Sequence, residues 1–202
     1  MRLVEAARTN AQAFGELFDA YYPRILRYIL KRVQDAALAQ DITANTFFAA
    51  LKNLHRFSWR QGAGFSSWLY AIATNEIRQH FRKAQQRREY SLESMLEAGV
   101  EFADPTDLQE ELREAEARLE QNKSIKMLRD VLRTLPLKYQ ETLVLRYLEE
   151  CSIEEIAEIL HKRCGTVKSL LSRGKDLLER SFERFQTMQP SSNRSIVPPD
   201  TL

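Results

Sequence analysis

The segment from Ser152 to Arg173 constrains this chain's fold more than any other. Ile153, Ile156, Ala157 and Leu160 recur at three- and four-residue spacing, which makes Ser152–Leu160 a short helix with one apolar stripe. The triplet His161-Lys162-Arg163 follows, and a second periodic run begins at Cys164. At about 100° per residue, Val167, Leu170, Leu171 and Gly174 fall on one arc of this second helix. Lys168, Ser169, Ser172, Arg173 and Lys175 fall on the opposite arc. Two short helices around a tight turn, the second greasy on one side and cationic and hydroxyl-bearing on the other, form a helix-turn-helix suited to the major groove. The cations reach phosphates, and the short polar side chains let the helix approach base edges.

The rest of the chain reads as all-α. The whole chain holds only six Gly and six Pro, and no strand-length alternation of Val, Ile or Thr occurs. Ala11–Val33 is predicted helical with an interruption near Tyr22-Pro23, where Pro23 opens a new first turn. Ala36–Arg56 is a second helix. The loop Ser58–Gly64 separates it from a third, about Ser66 to Arg88. Tyr90–Asp104 lacks a period and reads as linker. Thr106–Thr134 is a long helical pattern that Leu135-Pro136 breaks before Leu137–Leu148 leads into the helix-turn-helix. The Pro- and Ser-containing tail from Gln189 has the composition of a disordered segment.

A net charge of +2 conceals strong segregation: residues 1–90 carry +7, residues 91–122 carry −8, and residues 123–190 carry +3. Two basic blocks separated by an acidic one suggest two nucleic-acid-facing units and a solvated or self-masking connector. The domain division that follows is 1–90, an acidic linker 91–122, 123–185, and a tail 186–202. The apolar runs are too short to cross a bilayer and no signal-peptide core is present, so no membrane insertion is expected. Two cysteines, Cys151 and Cys164, make neither a disulfide framework nor a Cys-x-x-Cys metal half-site, and reduced thiols in the cytoplasm fit them best. An enzyme finds no support. His55, His80 and His161 are scattered, and no phosphate loop or nucleophile motif occurs, so no cofactor or metal is expected.

The N-terminal block adds a second kind of chemistry. Phe57, Trp59, Phe65, Trp68 and Tyr70 gather around the Gly62- and Gly64-containing loop, ahead of a helix bearing Asn75, Arg78, Gln79, Arg82 and Lys83. Aromatics beside a loop, backed by cations, suit the capture of unstacked bases on a single strand. Trp68, Leu69 and Ile72 have the spacing of core residues.

At this level of detail the chain resembles a bacterial RNA polymerase sigma factor of the extracytoplasmic-function (ECF) group within the sigma-70 family. Phe14-x-x-Leu17-Phe18-x-x-Tyr21 is similar to that family's opening helix, and Ala39–Phe47 to its polymerase-binding motif. Phe65-x-x-Trp68-Leu69-Tyr70-x-Ile72-Ala73-x-Asn75 is similar to the start of its −10-reading helix. Leu135-Pro136, Leu145-Arg146-Tyr147, Glu154–Ala157 and Gly165–Ser169 are similar to its −35-reading domain. The resemblance implies two helical domains: a sigma-two domain of three or four helices and a sigma-four helix-turn-helix domain, joined by a linker. It implies core polymerase contact by Asp41, Ile42 and Asn45 on an exposed face of the second helix. It implies −10 contact by Trp59, Gly62, Phe65, Asn75, Arg78, Gln79, Arg82 and Lys83, with one base captured in the loop. For the −35 element it implies Arg146, Thr166, Lys168, Ser169, Ser172, Arg173 and Lys175. Core RNA polymerase, promoter DNA and an anti-sigma protein are the implied partners.

The chain departs from the family pattern at four places. Ala44-Asn45 stands where an acidic residue is usual, Gln79 replaces an Asp, and His161 replaces the turn Gly. His tolerates positive φ better than most residues, so the turn survives. Leu170 replaces a recognition-helix Arg and falls at the edge of the apolar arc. The alternative reading is a helix-turn-helix regulator of the response-regulator effector type, which shares the Glu-Ile-Ala and Thr-Val-Lys pattern without the aromatic N-terminal half.

Overall fold

The computed structural model describes residues 2–33, 35–59, 64–91 and 123–188, and among these every regular element is helical. The acidic linker from residue 92 to 122, Gly62 and the tail from Gln189 lie outside the described residues. The N-terminal half comprises α1 (Arg2–Ala6), α2 (Ala11–Val33), α3 (Ala36–Asn53) and α4 (Phe65–Ser91), with a 3₁₀ turn at Leu54–Arg56. The C-terminal half comprises α5 (Lys123–Thr134), α6 (Leu137–Leu143), α7 (Ile153–Leu160) and α8 (Cys164–Met188). A π turn over Val144–Leu148 extends α6.

Local chemistry fixes most boundaries. Asn10 accepts from the backbone N–H groups of Gln12 and Ala13 and starts α2. Asp35 caps α3 by accepting from the Leu38 N–H at 2.8 Å. Pro23 does not interrupt α2 as expected: the helix runs through it. Pro23 and Asp19, whose carbonyl loses its intrahelical donor, are both exposed, so water satisfies what the ring removes. Pro136 occupies the position before α6, where a missing N–H costs nothing. Ser152 and Glu155 form a reciprocal capping box at the start of α7. His161 ends α7 at φ 52°, the left-handed conformation expected of it.

α2, α3 and α4 pack mutually, and α5, α6 and α7 gather on α8. The two halves then meet, α7 lying along α4. One core runs through both: Tyr28, Ile29, Tyr70, Ala73 and Ile77 join Val144, Leu145, Ile156 and Ile159. A smaller cluster of Leu135, Tyr139, Leu143 and Leu170 holds α6 to α8.

Two buried carboxylates stitch the halves together. Glu141 on α6 accepts from Arg78 Nε at 2.7 Å and Nη2 at 2.6 Å, a bidentate pair with α4. That bond is the leading cause of the raised pKa of Arg78. Glu149 accepts from the Tyr70 hydroxyl at 2.6 Å and from Lys31 Nζ at 2.8 Å. Arg24 Nε in turn donates to the Tyr70 oxygen at 2.8 Å. Burial first, then the Glu149 carboxylate, pushes the Tyr70 hydroxyl far above its ordinary range, so it stays a donor. Burial likewise pushes the neighbouring Cys151 thiol up to about 12, and no metal cluster occurs among the described residues.

Candidate nucleic-acid interface

α8 presents its surface as the angular arithmetic requires. Val167, Leu170 and Gly174 are buried, while Thr166, Lys168, Ser169, Ser172, Arg173 and Lys175 are all exposed. The first turn of α8 follows directly on the His161-Lys162-Arg163 turn, so its N–H groups and short side chains sit at the tip. Gly174 lets α8 approach α6, since a Cβ there would meet Leu143 and Tyr139 at 3.4 Å. Leu170 is core at 8% exposure, which explains why no cation stands there. Lys175 lies 3.8 Å from Glu179, an exposed pair of little energetic weight. Arg146 is exposed too, but its Nη1 donates to the Cys151 carbonyl at 2.9 Å, which anchors it beside the start of α7.

The second surface surrounds the loop and α4. Phe57, Trp59, Phe65 and Trp68 form a ring cluster with centroids 5.1–5.6 Å apart. Within it the expected roles separate. Phe65 is 3% exposed and edge-on to Tyr21, so it belongs to the core and not to the exposed surface. Its position at the first turn of α4 turns it inward, and its ring lies against Tyr21 of α2 and Phe57. Trp59 is half-buried, edge-on to Phe57, and its Nε1 has no hydrogen-bond partner among the described residues. Asn75, Gln79, Arg82 and Lys83 are exposed along α4. Arg78 shares their side of the helix but is taken up by Glu141. A cavity of about 220 Å³ opens beside this cluster, lined by Arg56, Ser58, Ser67 and Trp68 from the N-terminal half and by Glu158 of α7 and His161 of the turn from the C-terminal half.

A third surface lies on α3. Asp41 and Asn45 are exposed as expected, but Ile42 is 4% exposed and belongs to the core. One helical step separates Ile42 from Asp41, and that 100° turns it toward the core helices. The exposed stripe continues instead through Phe48, 69% exposed, and Leu51, 50% exposed. Sequence reasoning missed both, although Asp41, Asn45, Phe48 and Lys52 follow i, i+4, i+7, i+11 spacing. α3 is apolar on two sides, so its pattern alone does not say which side is outward. Thr43 and Thr46 turn their hydroxyls back onto the carbonyls of Ala39 and Ile42 and are buried with the core face.

The family model for Sigma-70 region 2 matches residues 17–88, and that for Sigma-70 region 4 matches residues 125–178. The chain is 35% identical to the ECF RNA polymerase sigma factor BldN of Streptomyces coelicolor over 181 residues, covering 89% of this chain and 64% of that protein. It is 32% identical to the ECF RNA polymerase sigma factor SigW of Bacillus subtilis over 192 residues, covering 90% of this chain and 95% of SigW. Among solved structures, the sigma factor RpoE of Bartonella quintana in complex with the anti-sigma factor NepR shares the fold, with a TM-score of 0.60 and 21% identity over 84% of this chain and 96% of that one. Region 2 thus covers the aromatic loop with α2–α4, and region 4 covers the helix-turn-helix. This chain belongs to the ECF group of sigma-70 family RNA polymerase sigma factors.

Proposed function

We infer that this chain is a promoter-specificity subunit: it docks on core RNA polymerase and directs transcription initiation at −35 and −10 elements. The observation that carries this reading is the coexistence of two DNA-suited surfaces of unlike chemistry. One is the exposed hydroxyl-and-cation face of α8, and the other is the ring cluster with Asn75, Gln79, Arg82 and Lys83 on α4. The first suits duplex and the second a splayed strand. A regulator of the response-regulator effector type has no use for the second, nor for the Sigma-70 region 2 match.

In this reading residues 1–90 bind polymerase and the −10 strand, 123–185 bind the −35 duplex, and the acidic 91–122 segment connects them. Thr166, Lys168, Ser169, Ser172, Arg173, Lys175 and Arg146 serve the −35 element. Trp59, Gly62, Asn75, Arg78, Gln79, Arg82 and Lys83 serve the −10 strand. Asp41 and Asn45, extended by Phe48 and Leu51, form the polymerase contact. The protein works as a binding subunit and not as a catalyst, in the cytoplasm where the polymerase is. RpoE is held by an anti-sigma factor, and a partner of that class is proposed here too.

Run-off transcription with purified core polymerase and promoter fragments tests the reading. Template-specific transcripts are expected only when the chain is added. Asp41→Arg should abolish pull-down of core polymerase while moving thermal stability by under ~0.5 kcal/mol, as surface changes do. Unchanged recovery of polymerase would remove α3 from the docking surface.

A further inference from the structure

A loop that presents a ring to a splayed strand needs a fixed entrance, and here the fixing comes from a distant part of the chain. Phe57 is the hub of the ring cluster: it meets Trp59 at 5.1 Å, Trp68 at 5.2 Å and Phe65 at 5.6 Å. Its backbone is where the chain leaves the 3₁₀ turn for the loop, at φ −64° and ψ 131°. Two bonds hold that backbone. The Phe57 N–H donates to the Leu54 carbonyl at 3.1 Å, inside the turn. The Phe57 carbonyl accepts from Arg8 Nη2 at 2.6 Å, across 49 positions of sequence.

Arg8 is itself anchored. Val4 and Ala7 are buried at 4% and 5% exposure, and α1 packs on α2. The Arg8 N–H donates to the Glu5 carbonyl at 3.3 Å, and its Nε lies 3.3 Å from the Glu5 carboxylate. That exposed pair adds little energy, but it orients the guanidinium so that Nη2 is left for Phe57. A charge-assisted bond to a carbonyl is among the stronger single contacts, and this one acts on the backbone two residues before Trp59. At the far end of the loop the fit is also close, since a Cβ on Gly64 would meet the Trp59 ring at 3.6 Å. Arg8 precedes residue 17, where the Sigma-70 region 2 match begins, so the family pattern does not include it.

We propose that Arg8 is a positioning residue for promoter opening: held by α1, it pins the Phe57 carbonyl and so sets the Trp59 ring where the −10 strand is captured. Arg8 acts through the loop and not on the DNA. Pre-organisation of this kind lowers the ordering cost that binding a single strand would otherwise meet. The proposal rests on the −10 role assigned above to Trp59.

Trp59 and Trp68 are the chain's two tryptophans, so intrinsic fluorescence reports this cluster alone. Arg8→Met keeps the aliphatic stem and removes the donors. In the free chain its emission should move to longer wavelength and quenching by acrylamide should rise, with helicity at the wild-type level. In holoenzyme, permanganate reactivity of −10 thymines should fall roughly tenfold, the scale of one lost charged hydrogen bond. Arg8→Lys, which keeps a cationic donor, should recover most of both signals. Binding to a −35 duplex should not change. Replacing the Phe57–Ser58 peptide link by an ester weakens the same acceptor with every side chain in place, and it supplies the test if Arg8→Met does not fold. Wild-type fluorescence and quenching in Arg8→Met, or in the ester where that variant does not fold, overturns the brace. So does a salt slope of opening lowered by about one with fluorescence unmoved, which would make Arg8 a phosphate contact. Undiminished opening by Trp59→Ala would instead overturn the −10 reading, and the fluorescence of the Arg8 variants does not depend on that result.

Discussion

α8 and α4 both carry cations and short polar groups on one side, yet they present them under opposite conditions. On α8 the polar arc is solvent-facing throughout, because the apolar arc alone is used to bind α6 and α7. On α4 both sides are in use. Leu69, Tyr70, Ala73 and Ile77 pack into the N-terminal core, and Arg78 reaches across to Glu141. A recognition helix that needs only one face for packing keeps its reading face available. A helix wedged between two halves has its reading face partly filled by the protein itself.

The sharpest way to break that comparison is at the aromatic loop, where a reader and a core residue stand six positions apart. Phe65→Ala removes a buried ring and should destabilise the chain by about 3–5 kcal/mol, measured by chemical denaturation. A Phe65→Ala protein of wild-type stability that fails only to open promoters would return Phe65 to the reading surface. Trp59→Ala and Asn75→Ala should change stability far less and leave binding to a −35 duplex intact. In the holoenzyme, permanganate reactivity of −10 thymines should fall, since each lost stacked base costs about 1–3 kcal/mol. Open complex at wild-type level in both variants would mean that this half does not hold the melted strand.

Presentation of α8 depends on the turn before it, and here a smaller effect is expected. Ser152→Ala removes the side-chain acceptor of the α7 capping box and should cost about 1 kcal/mol. Thermal melting should register the loss, and −35 duplex affinity should fall only in proportion to the unfolded fraction. A larger drop in affinity than in stability would show that α7 itself touches DNA.

What the sequence made legible follows the same division. The helix-turn-helix could be read almost completely because an amphipathic helix with one packed face obeys a single periodicity, and Val167, Leu170 and Gly174 went inward as the angles require. The αL turn at His161 was legible because the family pattern that the chain resembles has Gly there and His tolerates positive φ. Ile42 and Phe65 were misplaced because a family motif names residues without saying which way they point. A step of one residue on α3 separates surface from core. The capping box was readable as Ser-x-x-Glu and was passed over. The engagement of Arg78 was not readable at all. Glu141 is 63 positions away in the chain, and only tertiary packing brings the two together.

The smallest expected effect is also the most specific test of the polar arc of α8 as a reading face. Lys168 is exposed on the polar arc and Ser169 beside it turns its hydroxyl to the Thr166 carbonyl, so Lys168 is positioned as a plain phosphate contact. Lys168→Ala should weaken −35 duplex binding uniformly across sequences. It should also lower the slope of log K against log salt by about one. Arg173→Ala supplies the contrast: a residue that reads a base relaxes preference at one position by about 1–3 kcal/mol. The salt slope of each variant, measured on the wild-type element and on a scrambled duplex, separates the two roles. If neither the slope nor the preference moves in either variant, the polar arc of α8 does not face DNA, and its likeness to a reading helix is one of pattern alone.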